Sequence, residues 1–289
     1  MSQIIFNAKK NKFEGFVNGK VLVRAATEAK AKSLLKSKHG IDASIAGSVP
    51  ASVKKSEFTV KERFDFIGQF TKLAAKGVIP GLVVTGSGGL GKTHTVLDTL
   101  SGMGLKEDTI GEVDGDYVFI KGYTTPRNLY TTLYHNNVKV IVFDDCDSSF
   151  KDPIGANIFK AALDSYERRI ISWGAESKDD EVPSRFEFNG KVIFISNMSI
   201  EKFPQAILSR SMLVDLTLNL EEKVERIESI FNTEKTFDKE DKVEVMAFIK
   251  NNMNKFKDLN IRSAMNTLKM KVAIGEGWER MALYSATIN

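Results

Sequence analysis

The segment LVVT (82–85) runs straight into Gly86-Ser-Gly-Gly-Leu-Gly-Lys-Thr93, and THTVLDTL continues from that loop with helical spacing. The string fits G-x-x-x-x-G-K-[ST]. An apolar strand, a glycine-rich turn and a helix in that order leave few folds open. Glycines let backbone N–H groups converge on one point, and the start of the helix adds positive potential there. The expected ligand is a polyphosphate cradled by Gly86, Ser87, Gly88, Gly89, Leu90 and Gly91. Lys92 is expected to reach the β- and γ-phosphates and to face solvent when no nucleotide is bound. Thr93 is expected to hold Mg²⁺ through its hydroxyl. His94 follows the loop and joins the nucleotide-contacting candidates, as a surface residue rather than a catalyst.

The rest of the chain supports the same class. A helix fits residues 60–76, with Phe64, Ile67, Phe70, Leu73 and Ala74 on one face. Short apolar strands are expected at 82–85, 117–120, 138–143, 192–196 and 212–218, with helices between them. That alternation predicts an α/β domain: a parallel sheet with helices on both faces. After Asn219 the strand signals stop, and helices are expected at 221–232, 241–254 and 261–273. Residues 1–41 read as a small basic β-β-α unit, with Asn18-Gly19 as a hairpin signal and Thr27 capping the helix. Residues 42–56, small and polar, read as a linker. The domains expected are therefore 1–41, a linker at 42–56, a nucleotide-binding domain at 57–219 and a helical lid at 220–289.

The run VKVIVFDDCD is an apolar strand that ends in two carboxylates. Burial of both strand faces accounts for the unbroken apolar stretch. Asp144 is expected to hold Mg²⁺, mostly through water, and Asp145 to act as the base toward an attacking water. Aspartate is one methylene shorter than the glutamate common at that position, so the water must sit closer. Cys146, the one cysteine, lies among acids that disfavour a thiolate and reads as a packing residue. His39 and His135 are isolated and make no metal site.

With these motifs in order over residues 57–275, the chain resembles the AAA+ ATPases, in particular the clamp-loader and initiator branch. GSGGLGKT and VIVFDD carry the resemblance first. KVIFISN then resembles the sensor 1 strand, whose polar tip, Asn197, the resemblance places between the first two motifs. Arg210 in AILSRSMLVDL resembles an arginine finger, with Arg168 and Arg169 as competing candidates. Arg262 in LNIRSAMNTL resembles the sensor 2 arginine of a helical lid. The resemblance implies ATP as ligand, Mg²⁺ as cofactor and hydrolysis in a homo-oligomer, a hexamer favoured, because a finger from a neighbour makes turnover depend on assembly. Rigid cationic groups suit the charge of phosphoryl transfer, and arginine stays charged. Superfamily 3 helicases are also similar, sharing a DD strand end and FISN. Against them stand the helical lid and the want of a clear basic hairpin between 146 and 191, where SKDDEVPSRFEFNG is mostly acidic. The set also resembles ATP-binding proteins of large bacteriophages. A kinase would need an arginine-rich lid that the sequence does not offer, and a non-enzymatic DNA-binding adaptor remains an alternative. Tyr123, Tyr130 and Tyr134 read as helix packing rather than a pore loop.

Charge distribution bears on partners. The net charge is +4, yet residues 1–55 hold eleven Lys and Arg against three Asp and Glu. A basic piece on a mildly acidic body reads either as a solvated lysine-rich surface or as a face for a DNA, nucleoprotein or acidic protein partner. No apolar run is long enough to span a bilayer and the first residues lack a signal core, so no membrane and a cytoplasmic site, the host's if phage-encoded, are expected.

Overall fold

The computed structural model describes residues 2–7, 12–17, 20–39, 56–109, 114–174 and 182–288. The chain divides into two compact units, Met1–Lys55 and Ser56–Asn289.

The first unit holds β1 (Ser2–Asn7), β2 (Lys12–Val17), β3 (Lys20–Ala25) and α1 (Glu28–His39). Its strands form an antiparallel sheet in the order β1-β2-β3, and a small core joins Val23 and Ala25 to Ala31 and Leu35. The β-β-α reading is corrected here, because the unit has three strands. The middle strand contains Gly15, and the register shifts between Gly15 and Phe16. A bulge breaks the alternation that marks a strand in sequence. Asn18 and Gly19, and the linker apart from Ser56, lie outside the described residues.

The second unit begins with α2 (Val60–Ala75), β4 (Gly81–Gly86), α3 (Lys92–Gly102), β5 (Tyr117–Lys121), α4 (Pro126–His135) and β6 (Val140–Asp144). It continues with α5 (Ser148–Lys151), α6 (Pro153–Ala162), β7 (Ile170–Ser172), β8 (Arg185–Glu187), β9 (Lys191–Ile195), α7 (Gln205–Leu208) and β10 (Met212–Leu216). Four helices close it: α8 (Leu220–Thr233), α9 (Lys239–Asn252), α10 (Ile261–Ile274) and α11 (Trp278–Ile288). The last was not legible in the sequence. It is a short segment behind Gly275 and Gly277, both at positive φ, which end the preceding periodicity.

Five strands form one parallel sheet in the order β10-β4-β9-β6-β5. Successive side chains point to opposite faces, and each face has its own core. Val83, Ile141, Phe143, Val192 and Phe194 pack with Leu129, Phe159 and Ile207 from α4, α6 and α7. Leu82, Val84, Val142, Ile193, Ile195 and Val214 pack with Phe64, Ile67, Val96 and Leu100 from α2 and α3. The unit is thus an α/β fold with a parallel sheet flanked by helices. A capping box starts α2, where Thr59 N–H donates to Glu62 Oε2 at 2.8 Å and Glu62 N–H to Thr59 Oγ1 at 3.2 Å.

The last four helices build a third core around Ile227, Phe231, Ile249, Leu268 and Trp278. A buried ion pair of 2.5 Å joins Arg63 of α2 to Glu222 of α8. The short strands β7 and β8 pair antiparallel in the region where the sequence offers a mostly acidic loop or hairpin and no clear basic one. Much of the connection between them, residues 175–181, lies outside the described residues.

Candidate functional site

Because β9 is inserted between β4 and β6, the C-terminal ends of these three strands stand side by side. Gly86 ends β4, Asp144 ends β6, and Ser196 and Asn197 follow β9. The site is built from what emerges there.

The loop from Gly86 to Gly91 leads into α3. Gly89 has φ 69° and Gly91 φ 96°, the left-handed region that glycine enters without a Cβ penalty. A Cβ on Gly89 would lie 2.9 Å from Asn260 Cγ, so packing forbids one as well. No side chain caps α3. Among the described residues, no protein acceptor takes the N–H groups of Gly88, Gly89, Leu90 or Gly91. A row of free N–H groups at a helix start is an anion cradle.

Lys92, the first residue of α3, is buried, not solvent-facing as its sequence position suggested. Its Nζ donates to Gly86 O at 2.7 Å, Ser87 O at 2.8 Å and Asn197 Oδ1 at 2.9 Å. The loop carbonyls supply partners that sequence could not reveal. Burial lowers the lysine pKa to about 8, against the opposing pull of Asp145, Asp144 and nearby acids.

Thr93 donates its hydroxyl to Asp144 Oδ2 at 3.2 Å. Asp144 is buried, and its carboxyl is raised above the ordinary range by desolvation first and by Asp145 second. Lys121 Nζ lies 3.7 Å from Asp144 Oδ2. That residue was missed in the sequence, although its place is simple: β5 pairs with β6 so that Lys121 stands opposite Asp144.

Asp145 has φ 55°, unlike every other non-glycine residue described. That conformation is uncommon for a side-chain-bearing residue and is held here by two bonds. Its N–H donates to Ile195 O at 3.0 Å, and its Oδ1 accepts from Asn197 Nδ2 at 2.8 Å. Asn197 thus bridges Lys92 and Asp145, with its amide orientation fixed by both partners. Ser196 Oγ donates to Asp147 Oδ1 at 2.6 Å. Cys146 is buried in the core, and burial pushes its thiol up to about 11.

The helical bundle closes one side of the site. Asn260 caps α10, and Ile261 N–H donates to Gly89 O at 3.0 Å. Arg262 and His94 are exposed and line the same cleft as Gly88, Lys92, Asp144 and Asn197, a space of about 460 Å³. Arg226 of α8, also missed in the sequence, lies with its guanidinium 3.6 Å from the centre of the Phe64 ring and donates Nε to Leu90 O at 3.4 Å.

Arg210 is not part of this cluster. It follows α7, just before β10, whose Met212 pairs with Leu82 at the other end of the sheet. Roughly 17 Å of strand separates it from its own loop, and its Nη1 donates to Ala206 O at 3.1 Å. Of its competitors, Arg169 is committed to Ala162 O and Gly190 O, and Arg168 pairs with Glu187. Tyr130 is buried and donates to Pro183 O at 2.6 Å, and Tyr134 packs on Phe186. Tyr123 departs from the packing expectation. It precedes α4 and is 77% exposed.

No family model matches the chain. It is similar to an uncharacterized 36.7 kDa protein in the nrdC-mobD intergenic region of Enterobacteria phage T4, 27% identical over 294 residues that cover 94% of this chain and 88% of that protein. A chain in the structure of the E. coli MS115-1 HORMA:CdnC:Trip13 complex is 11% identical, with a TM-score of 0.45 over 78% of this chain and 87% of that one.

Proposed function

We propose that this protein is a P-loop ATPase of the AAA+ class that binds and hydrolyses ATP with Mg²⁺ and works as a homo-oligomer, a hexameric ring, in DNA metabolism. One observation carries the reading: Lys92, Thr93, Asp144, Asp145 and Asn197 converge beside a loop of free N–H groups at the ends of three adjacent strands. The loop and the start of α3 hold the phosphates, and Lys92 exchanges its carbonyl partners for phosphate oxygens. The Thr93 hydroxyl and the Asp144 carboxylate are hard oxygen donors set together, which fits Mg²⁺. When bound, that ion supplies neutralisation of the phosphate charge. Asp145 takes the proton of the attacking water, and Asn197 holds the carboxylate in place for it. Arg262 adds positive charge from the lid. Arg210 is too far from its own loop to do so and serves the site of a neighbouring copy. The basic first unit suits a polyanion such as DNA.

A second reading is a superfamily 3-type helicase, which uses the same site chemistry; β7 and β8 supply a strand pair in the segment concerned, but that segment is mostly acidic rather than basic. Turnover of Mg-ATP, measured with and without single-stranded and duplex DNA, tests both. Wild-type protein hydrolyses ATP. Lys92→Ala loses binding, and Asp145→Asn keeps binding but loses turnover. Equal turnover in wild type and Asp145→Asn would falsify the catalytic assignment, and unwinding of a forked duplex decides for the helicase.

A further inference from the structure

The helical bundle touches the glycine loop through the loop's backbone. Gly89 O accepts the Ile261 N–H at 3.0 Å, and Leu90 O accepts Arg226 Nε at 3.4 Å. A trans peptide is planar, so a carbonyl turned toward the bundle turns the next residue's N–H away from it. These two contacts therefore fix the direction of the Leu90 and Gly91 N–H groups, both of which lack a protein acceptor among the described residues.

The Arg226 guanidinium lies over the Phe64 ring, 3.6 Å from its centre, and burial lowers its pKa. Among the described residues no carboxylate pairs with it. A half-buried cation without an anionic partner is costly, so packing alone gives a poor account of arginine here. A Cβ on Gly91 would lie 3.3 Å from Arg226 Nη2, so the loop and the arginine meet closely.

We propose that Arg226 is a positioning residue for the anion cradle: from the bundle, it holds the Leu90 carbonyl so that the Gly91 N–H faces bound phosphate. Movement of the bundle then changes the affinity of the loop without Arg226 itself touching the ligand. The inference rests on the phosphate-binding reading above.

Calorimetric titration of the full chain with ADP and with inorganic pyrophosphate tests it, comparing wild type, Arg226→Met and Arg226→Lys. The methionine variant removes the Nε donor and the charge. The lysine variant keeps a cation over Phe64 and preserves the fold if methionine does not. Loss of one such bond corresponds to about tenfold, so both ligands are expected to bind about tenfold more weakly to either variant. The amide resonances of Leu90 and Gly91 in ligand-free protein are expected to shift in parallel. Unchanged affinity with a lower melting temperature overturns the proposal and leaves a packing role. Weaker ADP binding with unchanged pyrophosphate binding also overturns it, since Arg226 would then touch the nucleoside. If wild type binds neither ligand, the phosphate-binding reading itself falls, and this inference falls with it.

Discussion

Lys92 carries two opposite pH dependences. Its pKa is lowered to about 8 by burial, while in the unfolded chain it titrates near the ordinary lysine value. Between those two values the unfolded state binds more protons, so this residue makes stability rise with pH in that window. Binding of an anion needs the ammonium, so affinity moves the other way. Metal-free ADP affinity is expected to fall as pH rises through about 8, while the melting temperature of ligand-free protein gains from the same change. Lys92→Ala should remove both trends, which fluorescence titration and thermal melts between pH 7 and 9.5 would check. The sequence makes Lys92 a candidate phosphate contact but misjudges its exposure. The carbonyls of Gly86 and Ser87 and the amide of Asn197 depend on how the loop curls and on which strand lies beside it. Neither is local information.

At the scale of elements, α2 and α8 meet through Arg63 and Glu222, whose side chains are 8% and 11% exposed. Glu222 also accepts from the Asn219 N–H at 2.9 Å, so it starts α8 as well as pairing. Removing one partner of a buried pair leaves the other charged and unpaired, which costs about 3–5 kcal/mol. Arg63→Met is expected to lose about that much in urea unfolding. Adding Glu222→Gln, which keeps the cap acceptor and removes the charge, should recover part of it. No recovery would show that the arginine stabilises by packing and not by charge. Most elements here were legible, because α2, β4, β6 and β9 have long apolar patterns and clean ends. The third strand of the first unit and the helix α11 were not. Loose alternation blurs the first unit, where the register also shifts between Gly15 and Phe16, and the glycines at 275 and 277 hide the restart of the helix.

The scale of the whole molecule sets Arg210 apart from the site. The pairs Met212↔Leu82 and Leu216↔Gly86 put the start of β10 and the finish of β4 at opposite ends of the sheet. If the arginine completes a neighbour's site, specific ATPase activity should rise with protein concentration. A mixture of Arg210→Ala and Asp145→Asn, each inactive alone, should recover part of it. Mixed interfaces then pair an intact arginine with an intact Asp145, and loss of a comparable finger costs roughly 10³ to 10⁵ in rate. Absence of recovery at every mixing ratio would exclude a shared site.

The sequence by itself determined the strand–loop–helix order at Gly86–Thr93, the acidic end of β6, the polar end of β9 and the alternation that makes a parallel sheet. All of these are periodicities and motifs within about ten residues, which local sterics and burial impose directly. Only the tertiary structure decided which strand ends are neighbours. Pairing of β9 with both β4 and β6 brings Asn197 to Lys92 and Asp145, and pairing of β5 with β6 brings Lys121 to Asp144. Packing of α8 and α10 against the loop brings in Arg226 and Asn260. Those contacts span 23 to 171 residues of chain between Lys121 and Asp144 and between Gly89 and Asn260. They are selected by the summed burial of two cores and a helical bundle, a quantity no single segment carries.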